Sequence, residues 1–119
     1  MDAPKILIVE DDALIALELG ERLADRGYEV LGPAHSIAEA EQIIANVTPD
    51  AALLDGNLAG ASSVPLGVKL SGMGVPVAFC TGYDSIKDLP SSLSKAPVLT
   101  KPVGDDDLSR AVNDLLGAF

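Results

Sequence analysis

Cysteine is almost missing from this chain: Cys80 stands alone, so no disulfide can close within it. With no second cysteine and no Cys/His cluster at metal-ligand spacing, a zinc site has no support. Basic residues are scarce too. Eight lysines and arginines stand against eighteen acids, a formal net charge of −10 with the one histidine neutral. A surface of that sign does not suit nucleic acid, which needs a basic face, or anionic lipid. No apolar run nears the ~18 residues of a membrane span. The N-terminus, MDAPK, carries an early acid and no basic stretch ahead of a long apolar one, so it does not read as a signal peptide. A cytoplasmic protein with no nucleic-acid or membrane partner is the expectation.

What remains is an ordinary globular composition. At 119 residues and 48% hydrophobic content, the expectation is one domain over residues 1–119, large enough to bury roughly two thirds of its unfolded surface. KILIV (Lys5 to Val9) is a branched apolar run without alternation, the pattern of a parallel strand buried on both faces. A helix follows, with Ile15, Leu19 and Leu23 on one face beside Ala16 and Leu14. Asp12 is placed to cap it and Gly27 to end it. YEVLGPA predicts a short strand broken by Gly32 and Pro33, and Ser36 with Glu39 forms a capping box for a second helix ended by Pro49. DAALLD (Asp50 to Asp55) predicts the third strand, and a loop of small residues leads to a modest helix around Val64 to Ser71. VPVAFCT (Val75 to Thr81) predicts the fourth strand and PVLTK (Pro97 to Lys101) the fifth. Between them, Pro90 and the serines predict a loop or one broken turn where a fourth helix belongs. Asp105 or Asp106 caps a last helix with Leu108, Val112, Leu115 and Leu116 on one face, and that helix ends as a complete domain would.

Five alternations of strand and helix predict an α/β fold: a doubly wound parallel sheet with helices on both faces. Ligands in such sheets sit at the carboxyl ends of the strands. Here those ends carry Glu10, Asp11 and Asp12, then Asp55, Thr81 and Lys101. In the strand order 2-1-3-4-5, the four segments surround one pocket. Clustered carboxylates repel unless a cation neutralises them, and hard oxygen ligands favour magnesium, which keeps waters and accepts phosphate oxygens. Lys101 offers a point charge to an anion, Thr81 a hydroxyl, and Asp55 a carboxylate able to act as nucleophile. Elsewhere, Cys80 reads as a small buried hydrophobe and His35, just before the capping box, as a surface residue.

The acid pair after strand one, LLDGN at strand three, CTG at strand four and LTKP at strand five resemble, in order and placement, the receiver domain of two-component response regulators. The resemblance covers essentially the whole chain and implies a flavodoxin-like (CheY-like) fold. It implies Asp55 as phosphoacceptor, and Mg2+ held by Glu10, Asp11, Asp55 and the backbone carbonyl of Asn57. It implies Thr81 as switch hydroxyl and Lys101 as partner first of Asp55 and then of the phosphoryl group. It also implies a cis bond before Pro102, and phosphoryl supply by a sensor histidine kinase or histidine phosphotransfer protein. The output is then contact with a downstream protein partner, with no enzymatic activity beyond the domain's own phosphoryl transfer and autodephosphorylation. The pattern departs at Val98 and Val103, where many receivers carry aromatics. FCTGY instead resembles the single-domain FAT GUY subgroup known from alphaproteobacteria, with Tyr83 in a switching role and a poorly formed fourth helix.

Other readings compete. A magnesium-dependent phosphohydrolase could use Asp55 as nucleophile, but such enzymes commonly need an acid two residues on, where this chain has Asn57. A phosphorylation-independent binding module would not need the intact acid set. A flavodoxin-like electron carrier would not place three acids in a loop that must face a phosphate anion.

Overall fold

The computed structural model describes residues 3–82 and 89–117. β1 (Lys5–Val9) is buried along Ile6 to Val9 and runs directly into the acids. The Asp12 side chain then accepts the free N–H groups of Leu14 and Ile15, at 3.0 and 3.1 Å, and so starts α1 (Ala13–Asp25). α1 ends where Gly27 takes φ +90°, which a side chain would resist. The Tyr28 and Gly27 N–H groups then close on the carbonyls of Leu23 and Ala24. Ala16, Leu19 and Leu23 are buried as the spacing predicts, whereas Leu14 faces solvent at 73% exposure.

β2 (Glu29–Ala34) is continuous, contrary to the expected break at Gly32 and Pro33. The chain absorbs both residues as a register shift: Leu7 faces Leu31, but Val9 faces Ala34. Gly32, at φ +93°, makes the shift possible, since a Cβ there would lie 2.5 Å from the Ala34 nitrogen. α2 (Ile37–Asn46) begins with Ser36 Oγ accepting the Glu39 N–H, as the capping box predicts. β3 (Ala51–Asp55) is followed by a feature the sequence did not announce. A two-stranded hairpin, β4 (Asn57–Leu58) and β5 (Ala61–Ser62), turns through Ala59 at φ 52° and Gly60 at φ 91°. α3 (Val64–Gly72) carries Pro65 in its first turn, where a missing N–H costs nothing. β6 (Val77–Thr81), one 3-10 turn at Ser91–Leu93, β7 (Val98–Thr100) and α4 (Asp105–Leu116) complete the fold. The part of the expected loop or broken turn that is described, 89–96, has that 3-10 turn as its one helical element.

Gly104, not Asp105 or Asp106, precedes the first turn of α4, and no side chain caps it. Asp105 is drawn away by α1: its Oδ1 accepts from Arg22 Nη2 at 2.8 Å and lies 3.5 Å from Arg26 Nη2. The three aspartates of that turn still complement the helix dipole.

The main sheet is parallel in the order β2-β1-β3-β6-β7. Discounting the small hairpin, this is the expected 2-1-3-4-5. Alternate residues of the central strands feed opposite layers. Leu7, Val9, Ala52, Leu54, Val77 and Phe79 pack with α2 and α3; Ile6, Ile8, Ala51, Leu53 and Ala78 pack with α1 and α4. Burial on both faces explains why these strands read as unbroken apolar runs. No helix among the described residues is long and apolar enough to cross a membrane.

Candidate functional site

Each strand hands its register to the residue that follows it. Beyond the ladders, the Glu10 N–H bonds Ala34 O at 2.9 Å, Gly56 N–H bonds Cys80 O at 2.9 Å, and Lys101 N–H bonds Thr81 O at 2.7 Å. The polar residues at the strand ends are therefore held in line by backbone, not left to a loose loop. Parity then aims them. Glu10 continues the alternation of Ile6 and Ile8, and Asp55 that of Ala51 and Leu53, so both lie on the α1/α4 side. Both are buried, at 1% and 7% exposure.

Lys101 reaches across from the far edge. Its Nζ lies 2.5 Å from Glu10 Oε1 and 3.3 Å from Asp55 Oδ2. β3 and β6 separate β1 from β7, at ~4.8 Å per step, so the ion pair needs long side chains at both ends. The closer partner is Glu10, whereas the family resemblance implied Asp55. Cys80 lines a hollow of about 320 Å3 with Lys101, Pro102, Ile15 and Leu19. It is buried as expected, and burial pushes its thiol up to about 12. The peptide bond from Lys101 to Pro102 is cis, as the resemblance implied; so is that from Gly32 to Pro33, which it did not.

Glu10, Asp11 and Asp55 each offer an oxygen, all within 4.8 Å of one another. One oxygen of Asp11 accepts the Ala59 N–H at 3.0 Å, which pins the hairpin turn to the acid pair. Asn57 donates its backbone N–H to Asp55 Oδ1 at 3.2 Å, while its side-chain Oδ1 accepts from Gly60 at 2.8 Å. The Asn57 side chain is thus committed to the turn, so a ligand from this residue would come from its backbone. Thr81, 6% exposed, ends β6 opposite Thr100. Tyr83 lies outside the described residues.

The electrostatics are conflicted. Burial, then the neighbouring Asp55, pushes Glu10 up to about 7 against the opposing pull of Lys101. The hydrogen bond with Asp55 holds Asp11 below its usual 3.8. Burial alone would lower Lys101, but the hydrogen bond and charge of Glu10, with the charge of Asp55, outweigh it and hold the ammonium above its usual 10.5. Three carboxylates and one ammonium leave two negative charges when all are ionised. A hard divalent cation fits that donor set and that charge. Volume is a poor guide here. A larger hollow, about 830 Å3, opens at the opposite ends of the strands between Pro4, Pro49, Pro76 and Leu116, away from the clustered acids.

Comparison with known proteins points the same way. The family model for the response regulator receiver domain matches residues 6–113. The positive alginate biosynthesis regulatory protein of Pseudomonas aeruginosa is 32% identical over 111 residues, 90% of this chain and 45% of that protein. The transcriptional regulatory protein PdtaR of Mycobacterium tuberculosis is 28% identical over 119 residues, 97% of this chain and 58% of that protein. The chain thus spans about half the length of these curated relatives. Among solved structures, the signal receiver domain of a modulated diguanylate cyclase from Desulfovibrio desulfuricans superposes with a TM-score of 0.83 at 33% identity, covering 98% of this chain and 96% of that one. The receiver domain of the response regulator PhyR from Erythrobacter litoralis gives 0.82 at 26%, covering 98% and 92%.

Proposed function

The chain belongs to the response regulator receiver domains, and on that premise we propose that Asp55 takes up the phosphoryl group that switches it. The observation that carries this reading is the Asp55 carboxylate, nearly buried at the end of β3, with Asp11 and Glu10 beside it and the Lys101 ammonium 3.3 Å away. An Asp55 oxygen attacks the phosphorus of a phosphohistidine on a sensor kinase or phosphotransfer protein. The phosphorus–nitrogen bond breaks, its electron pair leaves with the imidazole, and an acyl phosphate forms on Asp55. Glu10, Asp11, Asp55 and the Asn57 carbonyl would hold Mg2+, which supplies charge neutralisation at the phosphoryl oxygens.

The chain's own groups set the geometry. Lys101 is a second cation for the incoming oxygens and exchanges part of its contact with Glu10 for them. Thr81, one strand over, offers its hydroxyl to a phosphoryl oxygen. The added charge, about −1.5 to −2, draws on both β6 and β7, and so reaches α4 through Pro102 and Val103. Output is contact with a downstream protein partner in the cytoplasm, and Tyr83 of the FCTGY stretch is a further switch element. A phosphohydrolase reading gains nothing from the site, because the position two past Asp55 is an asparagine engaged with Gly60.

Incubation with Mg2+ and acetyl phosphate, followed by intact mass measurement, tests the assignment. The expected result is one added phosphoryl group, lost in Asp55→Asn. Addition that survives in Asp55→Asn overturns the assignment, and steady turnover of generic phosphomonoesters favours the hydrolase.

A further inference from the structure

Glu10 is the most deeply buried member of the acid set, and each of its polar groups has a partner. Its N–H donates to Ala34 O at 2.9 Å. Its Oε1 accepts from Lys101, and its Oε2 accepts from the Asp12 N–H at 3.1 Å. Its backbone carbonyl faces a side chain: His35 Nδ1, at 3.1 Å. The ladders on both sides of β1 stop at Val9, opposite Ala34 and Leu54, so sheet pairing does not account for this carbonyl.

We propose that His35 is a positioning residue that fixes the peptide between Glu10 and Asp11, and with it the direction of both carboxylates toward the cation; this role rests on the reading of that pair as magnesium ligands. A carbonyl oxygen only accepts, so the contact requires a hydrogen on Nδ1. The two bonds act on opposite sides of one residue. Ala34 holds the nitrogen of Glu10 and His35 holds its carbonyl, both from the end of β2. The register shift in β2 brings that end here, because it sets Ala34 opposite Val9 and so carries His35 past the ladder to Glu10. The Glu10–Asp11 peptide links the buried acid to the exposed one, so rotation about it would swing Asp11 away from Asp55. His35 itself is exposed and contributes little to either core, which separates a positioning role from a packing one.

Outer partners that orient metal ligands typically change metal affinity by about 10-fold to 100-fold. For a single contact to backbone, about tenfold is expected. The test compares wild type, His35→Leu and His35→Asn in nitrogen-15-labelled protein titrated with Mg2+, together with imidazole nitrogen shifts of the metal-free wild type. An asparagine amide nitrogen sits where Nδ1 does and can donate; leucine cannot. The role predicts hydrogen on Nδ1 in the neutral ring, Mg2+ binding about tenfold weaker in His35→Leu, and near-wild-type binding in His35→Asn. A neutral ring with hydrogen only on Nε2 overturns it. Equal affinity in all three proteins, or equal loss in both variants, overturns it while leaving the magnesium reading intact. A wild type that takes up no Mg2+ overturns the magnesium reading and this role with it.

Discussion

Glu10→Gln should change how the stability of the metal-free protein depends on pH. The carboxyl is buried at 1% exposure and titrates at about 7 in place of its ordinary 4.5. A carboxyl raised by folding contributes stability that is fully present below about 4.5 and lost as pH rises through about 7. That interval is equivalent to about 3 kcal/mol, at ~1.4 kcal/mol per tenfold change in proton affinity. Water at the open mouth of the site screens part of it, so about 1–2 kcal/mol is expected. The other shifted groups of the site do not interfere. Asp11 lies below 3.8 and stays ionised across this window; Lys101 lies above 10.5 and stays protonated.

The absolute effect of the substitution is a poor readout. Glu10 receives hydrogen bonds on both oxygens, from Lys101 and from the Asp12 N–H. A glutamine has one oxygen and one amide nitrogen, so one of those donors loses its acceptor, at a cost of about 1–3 kcal/mol. That offset does not depend on pH and cancels in a difference. Urea unfolding of both proteins with EDTA present, at pH 5 and at pH 8, gives the difference directly. Between those values wild type should lose about 1–2 kcal/mol relative to Glu10→Gln. Parallel curves for the two proteins would refute the claim that burial and Asp55 raise Glu10 to about 7.

Lys101→Met should destabilise the metal-free protein by about 1–3 kcal/mol, because Glu10 and Asp55 lose the ammonium they share. Added Mg2+ should recover part of this in a thermal melt, and no recovery would count against carboxylates gathered for a cation. Gly67→Ala should destabilise by about 1–3 kcal/mol, since the new methyl would sit 3.0 Å from Phe79 Cζ and 3.2 Å from Leu93 Cδ1. Denaturation of that variant at wild-type urea concentrations would mean that the contact between α3 and β6 is looser than described.

Much of this was legible because the strands are short, apolar and buried on both sides. Periodicity is a strong signal where packing decides, as at Leu19 and Leu23. It failed where packing does not decide: Leu14 shares their helix yet faces solvent. The β4–β5 hairpin was hidden because its turn uses Ala59 and Gly60, whereas the strongest sequence signal for a two-residue turn is Asn or Asp before Gly. Holding alanine at φ 52° costs roughly 1–2 kcal/mol, and the bond from its N–H to Asp11 offsets part of that. The cap on α4 was misjudged because local capping rules do not see Arg22 and Arg26, which reach Asp105 from another helix. The contact from His35 to Glu10 depends on a register shift that no local pattern encodes.

The preference of Lys101 for Glu10 over Asp55 follows from this same arrangement. With every group ionised, the site has three negative charges and one positive one, and the folded chain has two ways to relieve the excess. A proton on Glu10 relieves it partly and a divalent ion relieves it fully, and the two compete for the same oxygens. Because Glu10 sits near 7, its protonated and ionised forms lie close in free energy at neutral pH, and metal uptake there must release protons. Here Lys101 rests mainly on Glu10, at 2.5 Å against 3.3 Å, which leaves Asp55 the more loosely paired of the two carboxylates. The length of Glu10, one methylene more than the aspartates beside it, is what lets the lysine rest there, with two strands between its own and that of Glu10.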